Sequence, residues 1–141
     1  MSPTSAKPPV VLIIENDVLT RMDAADLLLD AGYRVITQTS ADHALAVIAV
    51  RSDVDLLVTD INMPGSLTGS ALARIVDRRW PGLPIIATSS QGEPAPGELP
   101  DTAWFLVKPY PPSALIEAVR TALASLESRR TNVTSLSSSR A

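Results

Sequence analysis

Five short aliphatic runs separate stretches of helical periodicity along this chain, and that alternation constrains its fold more than anything else. The runs are Val10 to Ile14, Tyr33 to Thr39, Asp55 to Thr59, Pro84 to Thr88 and Trp104 to Val107. Each is too short for a helix and is bounded by polar or turn residues, which suits a buried strand of a parallel sheet. Between the runs the apolar period lengthens. Val18, Met22, Ala25 and Leu29 fall at i, i+4, i+7 and i+11, which predicts an inward helix face with Asp23, Asp26 and Asp30 largely off it. Gly32 stands where a helix C-cap is expected. Ser40 reads as the N-cap of a second helix with Ala41, Leu45 and Ile48 on one stripe. A third runs from near Gly69 to Trp80, with Leu72, Ile75 and Val76 inward and Pro81-Gly82 as its stop. The last begins around Pro111 or Pro112, a favoured first-turn residue, and carries Leu115, Val119, Ala122 and Leu126 on one face. Strands alternating with helices imply an α/β fold, a parallel sheet covered on both faces.

One link breaks the rhythm. Ser89 to Ala103 contains Pro94, Pro96 and Pro100 together with Gly92 and Gly97. Proline removes a helix donor and clashes with the preceding turn, so at most one helical turn is expected there, with the rest extended.

A chain of 141 residues is enough for one domain with a real core and too short for two ordinary ones. Met1 to Pro9 is rich in Pro, Ser and Thr and is expected to be a flexible leader, with the domain spanning 10–130. Thr131 to Ala141 is Ser-rich with few large apolar residues and is expected to be a disordered tail. The net charge of −3 argues against nucleic acid as the main partner. The absence of cysteine excludes disulfides, thiolate metal sites and a cysteine nucleophile. No apolar run approaches a signal peptide or a membrane span, so a cytoplasmic protein without a membrane partner is expected.

The ends of the strands carry the chemistry. The first ends in Glu15-Asn16-Asp17, the third in Asp60, the fourth in Thr88-Ser89-Ser90 and the fifth in Lys108-Pro109. In a parallel sheet these ends share one edge, outside which reactive groups collect. Carboxylates there can hold a hard divalent cation such as Mg²⁺ through oxygen ligands. A carboxylate can also accept a phosphoryl group, with an ammonium and a hydroxyl binding its oxygens.

With these residues the chain resembles the receiver domain of bacterial response regulators. The matching pieces are V-L-I-I-E-N-D, L-L-V-T-D-I-N-M-P-G, L-P-I-I-A-T-S-S and F-L-V-K-P-Y, in the family's order over Val11 to Tyr110. The resemblance implies a flavodoxin-like, doubly wound five-stranded sheet in the order 2-1-3-4-5, here with the helix between strands four and five short or absent. It implies Asp60 as phosphoacceptor, Ser89 as switch hydroxyl, Lys108 as its lysine partner and Phe105 as the rotating aromatic. Pro109 resembles the proline that follows the lysine through a cis bond. Glu15, Asn16, Asp60 and the backbone carbonyl of Asn62 would hold Mg²⁺.

The pattern also departs from the family. With Arg21 fixing the register, Asn16 stands where a carboxylate ligand of the metal is usual. A unit charge pair at 4 Å is worth about 4 kcal/mol gross at an effective dielectric near 20, so weaker Mg²⁺ binding is expected. Asp17 reads as a helix-start residue, with a water-mediated link to the metal left open. Gly65 to Gly69 is one residue longer than the common turn. The proline-rich link stands where receivers carry a helix of their output face.

The function implied is a phosphoacceptor module of a two-component phosphorelay. A histidine kinase or histidine phosphotransfer protein would supply the phosphoryl group. The module would signal to a downstream protein by contact or drain phosphoryl groups, as stand-alone proteobacterial receivers do. Such a module is not an enzyme, although it takes part in its own phosphoryl transfer and dephosphorylation. A receiver-like scaffold that binds partners without phosphorylation is the alternative. An aspartate-nucleophile phosphatase is disfavoured, because Asn62 stands where that chemistry wants a second acid.

Overall fold

In the computed structural model, residues 7–125 are described. The chain alternates strand and helix: β1 (Val10–Ile14), α1 (Val18–Asp30), β2 (Arg34–Gln38), α2 (Ala41–Val50), β3 (Val54–Asp60), α3 (Gly69–Arg79), β4 (Ile85–Ser89) and β5 (Trp104–Val107). A last helix, α4, is described over 112–125. The strands form one parallel sheet in the order β2-β1-β3-β4-β5. The expected architecture holds; β1 and β5 keep their expected bounds, and the other strand boundaries move by one residue. Leu126 and the tail from Thr131 lie outside the described residues, as does the leader up to residue 6. Pro8 and Pro9 lie beside β2, their carbonyls accepting from the Arg34 Nε and backbone N–H.

Alternating side chains on each strand feed two cores, one on each face of the sheet. Leu12, Ile14, Leu57 and Ile85 meet Ala41, Ala44 and Ile48 of α2 and Leu72, Ala73 and Val76 of α3. Val11, Ile13, Leu56, Val58 and Ile86 meet Ala24 and Leu28 of α1 and Leu115, Val119 and Ala122 of α4. The helices start at conventional caps. The side chains of Asp17, Ser40 and Thr68 accept from backbone N–H groups three residues ahead.

The α1 stripe requires correction. Ala24 and Leu28 are the buried residues of that helix, whereas Val18, Met22 and Leu29 are each more than half exposed. Apolar residues ring α1: Leu27, Leu28 and Leu29 are consecutive and Leu19 adds another face. Several stripes therefore fit the period, and contact with the sheet selects one that the spacing alone did not.

No helix forms between β4 and β5. The segment turns at Ala95 to Glu98, where the Glu98 N–H donates to the Ala95 carbonyl and the Glu98 side chain accepts from the Ala95 N–H. Arg74 of α3 donates to the Glu98 carbonyl at 2.7 Å, while Leu99 and Ala103 pack onto the α2/α3 core. This link covers the sheet where a helix would otherwise lie.

Candidate functional site

The sheet register gathers the candidate residues. Ile14 pairs with Thr59, so Glu15 emerges beside Asp60; Ser89 pairs with Val107, so Lys108 follows immediately. The Lys108 N–H donates to the Ser89 carbonyl at 2.8 Å and holds the two strand ends together. The Lys108–Pro109 peptide bond is cis.

Lys108 is the hub of the pocket. Its Nζ donates to Glu15 Oε1 at 2.6 Å and to Asp60 Oδ2 at 3.2 Å, bridging residues 93 and 48 positions away. Glu15 and Asp60 are 5% and 8% exposed, so both carboxylates are nearly removed from water and depend on the shared ammonium. Burial lowers the Lys108 pKa, but the hydrogen bond to Glu15 and the charges of Asp60 and Glu15 outweigh it, and the net shift is upward.

The second oxygen of each acid is also engaged. Asp60 Oδ1 accepts from the backbone N–H of Asn62 at 2.9 Å, and Glu15 Oε2 from that of Asp17 at 3.1 Å. The Asn62 side chain turns the other way and donates to Ser89 Oγ at 2.7 Å. Ser89 is fully buried, and its Oγ accepts a second bond from the Gln91 N–H at 3.0 Å.

The remaining candidates differ. Asn16 is exposed at the start of the β1–α1 turn. Arg21 secures that turn by donating to the carbonyls of Glu15 and Asn16. Asp17 is committed to α1: its Oδ2 accepts from both the N–H and the hydroxyl of Thr20, which hold its carboxyl below the usual range. Phe105 is half-buried, and strand alternation points it away from Trp104 and Leu106 toward the link. It belongs to neither apolar cluster.

Two features escaped the sequence reading. The Asn62 side-chain bond to Ser89 has no signal in the sequence, because it joins two strand ends 27 residues apart through the path of one loop. Gly69 has one, because a glycine opening a helix already capped by Thr68 calls for a reason. A Cβ at Gly69 would overlap the Asp60 carbonyl oxygen and lie 2.8 Å from the Ile61 Cα. The first turn of α3 thus packs directly on the backbone of Asp60.

Comparison with known proteins decides the family. The profile of the response regulator receiver domain matches residues 11–120. The chain belongs to the response regulator receiver domains. It is 34% identical over 112 residues to the response regulator protein FleR of Pseudomonas aeruginosa, covering 77% of this chain and 23% of FleR. It is 32% identical over 110 residues to the two-component response regulator ORR3 of rice, Oryza sativa subsp. japonica, covering 74% of this chain and 83% of ORR3. The chain spans about a quarter of FleR and of HoxA from Cupriavidus necator.

Among solved structures, NtrX from Brucella abortus superposes with a TM-score of 0.81 at 31% identity, over 92% of this chain and 29% of NtrX. The stand-alone chemotaxis regulator CheY4 of Vibrio cholerae gives 0.74 at 25% identity, over 83% of this chain and all of CheY4. The receiver is a domain of two-component signalling, which implies a histidine kinase partner, and receivers are generally not enzymes in the ordinary sense. No described helix is long and apolar enough to cross a membrane.

Receiver domains typically bind Mg²⁺. The donors present suit a cation that takes one or two carboxylates and keeps several waters. Glu15 and Asp60 converge on one positive centre, and Asn62 follows at the open end of the pocket. Among the described residues no group of three His, Cys, Asp or Glu side chains is assembled for a metal.

Proposed function

We propose that this receiver accepts a phosphoryl group on Asp60 from the phosphohistidine of a histidine kinase or phosphotransfer protein. A carboxylate oxygen of Asp60 attacks phosphorus while the bond to the donor imidazole nitrogen breaks. The observation that supports this most is the paired grip of Lys108 on Asp60 and Glu15 in a nearly dry pocket. That ammonium is placed to balance the charge that a phosphoryl group would bring. Bound Mg²⁺, held by Glu15, Asp60 and the Asn62 carbonyl, would neutralise phosphoryl oxygens. Asn16 supplies no charge to it, so its affinity is reduced.

The donor's docking face is supported by the α1 residues that proved exposed. Val18, Leu19 and Met22 leave apolar side chains exposed in the first turns of α1, which follows the β1 end that carries Glu15, Leu19 being 71% exposed. A groove of about 520 Å³ runs along α1 past Ala24 and Leu27 to Tyr110 and Pro112, with Lys108 in its wall. Such a surface suits the apolar face of a helical donor. On phosphorylation, Ser89 and Lys108 draw toward the new charge and reshape the link and α4, where a downstream protein docks or from which the phosphoryl group is simply drained.

The test is phosphorylation by acetyl phosphate with Mg²⁺, read by intact mass. One phosphoryl addition is expected, lost in Asp60→Asn, and half-maximal at a lower Mg²⁺ concentration in Asn16→Asp. Addition that persists in Asp60→Asn overturns the assignment. Complete inertness of the wild type supports the scaffold reading.

A further inference from the structure

We infer that the Asn62 side chain is a latch on Ser89, holding the switch hydroxyl in its unphosphorylated position. The inference rests on Asp60 being the phosphoacceptor and adds a residue that regulates it. Three observations carry it.

First, Asn62 is bonded in two directions. Its backbone N–H donates to Asp60 Oδ1 at 2.9 Å, and its amide Nδ2 donates to Ser89 Oγ at 2.7 Å. One residue therefore links the reacting carboxylate to the hydroxyl on the neighbouring strand.

Second, Ser89 Oγ is saturated as an acceptor. A hydroxyl has two lone pairs and one proton. Asn62 Nδ2 and the Gln91 N–H fill the lone pairs, so the direction of the O–H is set by these two donors. Ser89 makes no side-chain hydrogen bond to Asp60 or Lys108. Binding a phosphoryl oxygen on Asp60 requires the Ser89 O–H to be redirected, and the latch requires that Oγ then exchange the Asn62 amide for that oxygen.

Third, the two partners differ in what release costs them. Ser89 is buried and needs a replacement partner, which the phosphoryl oxygens provide. Asn62 is exposed, so water takes up its freed amide. The bond therefore opposes the switched state before phosphorylation and is readily given up after it. Asn62 acts through Ser89 and is a positioning residue.

The test is a double-mutant cycle on Asn62→Ala and Ser89→Ala, which leaves the backbone N–H of residue 62 in place. The affinity for beryllofluoride with Mg²⁺ is read by ¹⁹F NMR, and the Asn62 side-chain amide is followed by ¹⁵N NMR in the wild type. A single neutral hydrogen bond corresponds to about a two- to tenfold change in an equilibrium constant. Asn62→Ala is expected to tighten binding by that factor in the Ser89 protein and to change nothing in the Ser89→Ala background. The wild-type amide resonance is expected to move to the position of a hydrated amide as beryllofluoride binds. Unchanged or weaker binding in Asn62→Ala, or an equal effect in both backgrounds, overturns the latch while leaving Asp60 as acceptor. A wild type that does not bind beryllofluoride overturns both.

Discussion

The two faces of the sheet solve the same burial problem with different materials. On one, α1 and α4 lay Ala24, Leu28, Leu115, Val119 and Ala122 over the strands, and all but Ala24 are fully buried. On the other, α2 and α3 cover only part of the sheet, and the β4–β5 link finishes the work with half-buried Leu99 and Ala103. The edge strand β5 registers the difference. Trp104 and Leu106 join the α1/α4 core, while Phe105 joins neither cluster and Val107 is 46% exposed. A helix brings a side chain inward every three or four residues, whereas a proline-rich link makes isolated contacts. The α1/α4 face is therefore expected to be the stiff half of the molecule and the link its yielding half.

Truncation on each face breaks that contrast or sharpens it. Leu115→Ala empties a site with no exposure and is expected to destabilise by about 3 kcal/mol, from the usual range of about 2–5 for buried leucine. Leu99→Ala, half-buried under the link, is expected to cost about 1 kcal/mol, as only part of its apolar area leaves water on folding. Urea midpoints at neutral pH measure both. Equal losses would mean that the link is packed as firmly as a helix.

The next largest effect lies where α3 meets the pocket. Gly69→Ala would drive a methyl into the Asp60 carbonyl, backbone against backbone, with no flexible side chain to give way. Overpacking of this kind costs about 1–3 kcal/mol, and about 2 is expected here. The shift falls on Asp60 itself, so slower phosphorylation should accompany the lower urea midpoint. A variant that loses stability yet is phosphorylated at the wild-type rate would show that α3 does not position the proposed acceptor.

The contrast between faces also explains what the sequence could and could not reveal. In α3, Leu72 and Val76 are fully buried opposite exposed Arg74 and Arg78, so most of the inward stripe was legible, although Ala73 completes it and Ile75 stays half-buried. In α1, apolar residues occur on every side, and the stripe through Val18, Met22 and Leu29 turned out to be surface. A helix that must cover the sheet and also present an apolar surface cannot announce by periodicity which side does which. The prolines of the link ruled out a helix but not what would replace it; Arg74 and Glu98 settle that through a contact 24 residues apart. At the pocket, Glu15, Asp60, Ser89 and Lys108 were legible because strand ends in a parallel sheet must meet. The Asn62 amide bond and the close approach of Gly69 depend on the path of one loop in three dimensions, which no spacing encodes.

The smallest expected effect is at the polar rim where the two faces meet, and it is a pH dependence. The net upward shift of the Lys108 pKa means that the folded state binds this proton more tightly than the unfolded chain does, despite the opposing effect of burial. By linkage the resulting stabilisation is fully present below the unfolded lysine value of about 10.4. It disappears as pH rises through the higher folded value. Stability from this group should accordingly be flat from pH 7 to about pH 10 and fall above it. Alkaline pH acts on the rest of the protein as well, so the informative quantity is the difference in urea midpoint between wild type and Lys108→Met across that range. The difference should be constant at neutral pH and change only in the alkaline limb, where the wild type loses what the variant never had. A difference that changed instead between pH 5 and 8 would mean that the Lys108 ammonium is not the charge that Glu15 and Asp60 share.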